Sequence, residues 1–458
     1  MPRFIALAAA VSLGALAWLG APSAGRAEIG ILDNVPAATL LLPRFEVELG
    51  GGGVTTLLAI NNASDQPVLA HLTIWSEWWV PVIGFDVYLT GYDVHTINLR
   101  DIVVNGDLPN TGPSNVLSPQ GEFSSGPHTN FGGTCSTSFG SAPNYANISA
   151  LFLQVLQQAL TGQPLQTNGE CASLPGNPNL ARGYVTVDVV RRCAQEHPDN
   201  VNYFIDGGAG TATNENVLWG DYFLVDPAGN FAQGWSLVHI EADGFGLGVA
   251  DGSCDTTDRY PTTFYCTLRN PTTQPGEDNR EGLSSVFATR YLAGGVFDGG
   301  TGLLVWRDRN GLGAGFTRAC NTTPTPLQQT QIVVFDEQEN PLIDAGGGPV
   351  GEPVIQDNPF PWGTNRAQVG VDLTVEAPFG WLFLNLNDGN PAAEYFRQAF
   401  VASTYSAEGR FSVGLEATAL NNLTLGADNR RGPRNPDPTL GPAPHGNTPT
   451  LFNGNVTP

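Results

Sequence analysis

The chain has 458 residues, with 43 acidic against 20 basic side chains and a formal net charge of −23. All the basic residues are arginine, and the lack of lysine excludes Schiff-base and P-loop chemistry, which need its ammonium. So acidic a surface repels phosphate backbones and anionic lipid, which argues against nucleic acid or a polybasic membrane contact as partner.

The opening MPRFIALAAAVSLGALAWLGAPSAGRA places Arg3 ahead of an apolar run from Ile5 to Leu19. That run is shorter than the about 20 apolar residues of a membrane span. Gly25 and Ala27 suit the small positions of a signal peptidase site. Residues 1–27 are therefore read as a signal peptide cleaved near Ala27. The mature chain is expected to be secreted, periplasmic or extracellular, with no integral membrane span. Cleavage removes Arg3 and Arg26 but no acid, so the mature charge is two units more negative.

Next, GVTTLLAINNASDQPVLAHLTIWSE (53–77) reads as two strands joined by an Asn-Asn-Ala-Ser-Asp turn. It runs into WSEWW, where Trp75, Glu77 and Trp79 share one face of a continued strand. Exposed indoles suit sugar rings or a protein partner. Trp75 and Trp79 are therefore candidate ligand-binding residues, with core packing as the competing reading. Residues 104–180 are rich in Gly, Pro, Ser and Asn and read as a loop insertion. Within it, NISALFLQVLQQALTG sets Ile148, Leu151, Phe152, Val155, Leu156 and Ala159 at helical spacing. Asn147 or Ser149 caps this short helix and Gly162 ends it.

Further on, GYVTVDVV (183–190), VGVDLTVE (369–376) and RFSVGLEATAL (410–420) alternate apolar and polar residues with period two. That period marks half-buried strands of antiparallel sheets. In SLVHIEAD, the side chains of His239, Glu241 and Asp243 fall on one strand face. An imidazole and two carboxylates so placed suit a divalent metal or acid–base work; a solvated strand face is the competing reading. GWSLV around Ser236 lacks the final glycine of a GxSxG elbow. Carboxylates and Asn carbonyls gather in FDEQENPLID, DGSCDTTD and LNLNDGNPAAE. Such turns suit calcium, although none has the EF-hand spacing.

The six cysteines are Cys135, Cys171, Cys193, Cys254, Cys266 and Cys320. An even number in an exported chain points to disulfides and leaves the connectivity open. Cys254–Cys266 is the pair with a local argument: Tyr260-Pro261 supplies a turn between them, and closing so short a loop stabilises by about 3 kcal/mol. The remaining four have no assigned partners.

A weak internal repeat keeps its order in both halves. Segment 53–77 finds its companions in 300–311 and 330–343, segment 93–99 in 366–373, and segment 183–190 in 380–387. We therefore expect two related modules, 28–282 and 283–425. Residues 426–458, rich in Pro, Gly and Asn, have the composition of a disordered tail.

The pattern LAINNASDQPVLAHLTIW, with NVLWGDYFLVDPAGNFAQGWSLVHIEAD (216–243) and FDGGTGLLVWRD (297–308), resembles a group of bacterial exported proteins with immunoglobulin-like modules. The resemblance implies an all-β fold of two immunoglobulin-like antiparallel sandwiches and an exported address. It implies no activity, and the Cys…Trp…Cys spacing of true immunoglobulin domains is not evident. The expected function is non-enzymatic, in binding, adhesion or envelope structure, with a protein or carbohydrate surface as partner. The alternative is a secreted hydrolase, metal-assisted or acting on carbohydrate.

Overall fold

The computed structural model describes residues 35–109, 148–163, 176–191, 198, 203–204, 210–242, 265, 280, 282–308, 326–342, 358–387, 398–408 and 410–420. The first half contributes strands β1 (Thr39–Glu48), β2 (Thr55–Asn62), β3 (Val68–Ser76), β4 (Pro81–Leu89) and β5 (Val94–Asn98). It continues with β6 (Leu180–Val190), β7 (Leu218–Asp226), β8 (Phe231–Ser236) and β9 (Val238–Ile240). The second half contributes β10 (Val286–Leu292), β11 (Gly300–Arg307), β12 (Gln331–Asp336) and β13 (Thr364–Gln368). It ends with β14 (Phe379–Asn385), β15 (Ala399–Ala407), β16 (Phe411–Glu416) and β17 (Thr418–Ala419). Among the described residues one α-helix, α1 (Ala150–Thr161), and a π-helical turn at Asp101–Asn105 accompany them. The fold is all-β, with four antiparallel sheets.

The sheets segregate by half. Their strand orders are β4-β3-β6-β1-β9 and β5-β2-β7-β8 in the first, and β12-β14-β10-β17 and β13-β11-β15-β16 in the second. Setting β1 against β10, β2 against β11 and β3 against β12 makes the two orders identical once β4 is set aside. The repeat is therefore a repeat of topology. It is not the pairing of an immunoglobulin constant module, whose first two strands are neighbours; here β1 and β2 lie in different sheets.

The duplication extends to single residues. Gly183 begins the run that crosses β3, and Gly380 does the same beside β12. A Cβ at Gly183 would overlap the Trp75 carbonyl oxygen and crowd the Phe45 ring at 2.8 Å; one at Gly380 would overlap the Phe335 carbonyl oxygen and crowd Tyr291 at 2.9 Å. The following aromatic then lies flat on its cross-strand partner: Tyr184 on Trp75 at 5.5 Å, and Trp381 on Phe335 at 4.1 Å. After each stack the chain turns through a left-handed residue, Trp79 (φ 62°) or Glu339 (φ 65°). Gly183→Ala should lower stability by about 1–3 kcal/mol, the usual cost of forcing a methyl into a packed interior. An unchanged urea midpoint would contradict so close an approach.

Burial explains where the period-two reading fell short. Residues 183–190 were expected to be half-buried, yet β1, β3 and β6 are buried almost throughout. Leu40 packs toward β7, while Thr186 and Asp188 face the other way beneath Tyr203 and Tyr265. Residues 369–376 do not form the expected strand. Gly370 (φ 88°) accepts a left-handed conformation that closes a turn back to Leu373, and Val371 is 79% exposed. In 410–420, the expected inward residues Phe411, Val413 and Leu415 are exposed, because β16 turns its other face, at Ser412 and Gly414, toward β8 of the first half. Helix α1 follows expectation at both ends: Ser149 accepts from the Phe152 amide, and Gly162 is left-handed. Its buried side is Leu156 and Leu160, with Leu151 outside.

The second half's core lies between its own two sheets, with Leu303, Val305, Val401, Leu382 and Leu384 among its members. The opposite face of β11 and β15 (Leu304, Trp306, Phe400, Ala402) joins the first half's core instead. The two sandwiches are thus welded through one shared apolar face.

Candidate functional site between the two halves

Beyond that weld the halves diverge, leaving a cleft of about 720 Å³. Its floor is the outer face of β11 and β15. Gln368, Gly302, Thr404 and Gly414 lie directly opposite one another across β13, β11, β15 and β16. Beside them Gly300, Ser406 and Ser412 form a second row. Apart from Gln368, the lining positions of these rows carry little bulk, since two glycines, a serine and a threonine occupy them. A Cβ at Gly302 would meet only Gln368 Oε1, at 3.7 Å. The first half supplies an apolar wall of Val54, Leu224, Phe231 and Trp235.

Carboxylates rim the cleft at Glu46, Asp226, Asp298 and Glu408. Glu46 is buried and held from two sides, by Arg44 at 2.8 Å and by Arg366 at 3.2 Å. Burial alone would raise its pKa, but these guanidiniums outweigh burial and hold it below the usual carboxylate range. Arg366 comes from β13, so this ion pair also ties the second half to β1. Asp298 pairs with Arg410 at 2.7 Å and accepts from the Glu408 amide. Hydrogen bonds from that amide and from Arg410 keep its carboxyl low. Asp226 accepts from the amides of Ala228 and Gly229. Trp235 lines the cleft, while its indole Nε1 is buried against Gly414 of β16 without a hydrogen-bond partner among the described residues. Its ring stacks on Tyr222 at 5.3 Å.

The residues singled out from sequence lie elsewhere. Trp75 and Trp79 are 1% exposed, so neither is an exposed platform. Trp75 donates to Thr186 Oγ1 at 2.9 Å, and Trp79 donates across the halves to the Arg307 carbonyl at 2.8 Å. Gly363 reaches back to donate to the Glu77 carbonyl. WSEWW is therefore a joint between the halves. His239 is buried in β9, with Nε2 at the Gly220 backbone and Trp219 edge-on at 5.8 Å. Burial lowers its pKa, against hydrogen bonds to Gly220 and Val35. Glu241 is half-buried just past the strand end, and Asp243 lies outside the described residues.

Among the described residues no three His, Cys, Asp or Glu side chains are gathered as metal ligands would be. In FDEQENPLID, Asp336 accepts from the Gln338 and Asn340 amides and closes the turn after β12. DGSCDTTD and all six cysteines, including Cys254 and Cys266, lie outside the described residues, as does most of LNLNDGNPAAE. No described helix is long and apolar enough to cross a membrane.

A second polar cluster is wholly enclosed. Thr39, Asp188, His71 and Asp86 stand directly opposite one another on β1, β6, β3 and β4. Asp188 accepts from Thr39 Oγ1 at 2.5 Å and from the hydroxyls of Tyr203 and Tyr265 at 3.0 Å. Arg280 Nε lies 3.7 Å away, with its guanidinium 4.9 Å from the centre of the Phe204 ring. His71 Nδ1 meets Asp86 at 2.8 Å. Because these groups are buried together, the row reads as a clasp within the first half rather than a place for a ligand.

Neither the cleft nor the clasp was named from sequence. The cleft residues are scattered from Glu46 to Glu408 and carry no spacing signal. Asp188 carries one, as a lone carboxylate in a run of valines, but period two alone places it on the polar side of a half-buried strand. Comparison with protein-family models, with curated proteins and with solved structures found no match for the chain.

Proposed function

We propose that this chain is an exported binding protein whose ligand occupies the cleft between its two sandwiches. The observation that carries the reading is the glycine-floored cavity, walled by both halves and rimmed by carboxylates of which Glu46, Asp226 and Asp298 are held in place by ion pairs and backbone amides. A site of several hundred Å³, mostly pre-formed and with a few fixed polar groups, is what small-ligand recognition requires. The welded face beneath it limits the ordering cost of binding. The export reading rests on the N-terminal segment, and the acidic charge suits solubility outside the cell.

The test uses Gly302→Trp, which fills the floor where a side chain meets little else. Purified protein is screened by thermal shift against soluble oligosaccharide and peptide libraries. A cleft ligand should raise the melting temperature of the wild type by mass action and leave the variant unmoved. Equal shifts in both proteins, or none across the libraries, would remove the cleft from the function. Product analysis of the same mixtures separates binding from hydrolysis: intact ligand is expected, and cleaved ligand would favour the hydrolase alternative.

A further inference from the structure

Resting on that reading, we infer that the cleft takes a neutral, hydroxyl-rich ligand, a short uncharged oligosaccharide, rather than a cationic or anionic one. The charge arrangement comes first. Of the four rim carboxylates, Glu46 is matched by Arg44 and Arg366, and Asp298 by Arg410. Three guanidiniums thus stand against four carboxylates, and the rim has little net charge to offer an ion. An anion would also meet the acidic chain at large.

What the rim does offer is acceptors, and ionised acceptors make the stronger hydrogen bonds to hydroxyl donors. The floor adds groups that serve sugars in either direction, the Thr404 and Ser406 hydroxyls and the Gln368 amide, whose Nε2 reaches Gly299 O at 2.8 Å. The wall of Leu224, Phe231 and Trp235 suits the C–H face of a pyranose, which an aromatic surface accepts.

Isothermal titration of the whole purified protein decides this, with neutral hexose and N-acetylhexosamine oligosaccharides, oligolysine and oligogalacturonate as probes. The expected result is saturable binding of a neutral oligosaccharide, unchanged by added salt because no net charge is screened. It should weaken at least about tenfold in both Gly302→Trp and Thr404→Val, the second of which keeps the shape of the floor and removes a hydroxyl that lines it. Salt-sensitive binding of oligolysine or oligogalacturonate that Gly302→Trp abolishes would overturn the neutral class and leave the cleft standing as the site. Binding of any probe that Gly302→Trp leaves intact would overturn both, as would no binding at all.

Discussion

Asp188→Ala should destabilise the protein by about 3–5 kcal/mol, the usual cost of removing one partner from a buried charge pair. The carboxylate is fully buried on β6 and accepts from three hydroxyls, with the Arg280 guanidinium beside it. Its loss leaves Arg280, itself 1% exposed, without its carboxylate, along with three hydroxyls that must find other acceptors. Urea unfolding followed by circular dichroism measures the cost, and a loss below about 1 kcal/mol would mean that the clasp contributes little.

The pH dependence follows from the direction of the shift. Burial raises the Asp188 pKa, although Arg280 and the three hydroxyls pull it down. A carboxyl with a raised folded pKa contributes stability fully present below the unfolded value, about 4. That contribution is lost as pH rises through the folded value. Glu46, held low by Arg44 and Arg366, behaves oppositely: its contribution is present above the unfolded value and lost as pH falls through the folded one. Asp188→Asn should therefore make stability rise more steeply with pH in the acid range, and Glu46→Gln less steeply. Parallel pH profiles for both variants and the wild type would refute the assignment.

Trp79→Ala should cost about 3–5 kcal/mol, as large aromatic truncations in cores do. The side chain is buried at the joint, donates to the Arg307 carbonyl of the other half, and lies 2.8 Å from where a Cβ at Gly363 would stand. The same variant distinguishes a joint from a ligand platform. A joint residue lowers the denaturation midpoint and leaves ligand affinity unchanged under conditions where the protein is folded. A platform residue would do the reverse.

Local rules served the sequence reading well where the local environment decides the outcome. The capped helix ending at Gly162 was legible because its cap and stop residues act on their own backbone. The modular repeat was legible because equivalent strands retain equivalent apolar spacing, and the Gly-aromatic start shared by Gly183-Tyr184 and Gly380-Trp381 strengthens it. The run at 369–376 misled because alternation does not report the left-handed turn at Gly370. The tryptophans misled because an indole suits a sugar and a core equally well.

By itself, then, the sequence determined an all-β chain with a duplicated strand pattern, one short helix and a strongly acidic charge, since these depend on residue type and near neighbours. Only the tertiary structure decided which faces are buried twice. It also decided that WSEWW joins the halves, that Asp188 is clasped by Arg280, and that Gly302 floors a cleft reaching Trp235. Each of those relations joins residues tens to hundreds of positions apart, and only the folded chain brings them within hydrogen-bonding or van der Waals reach.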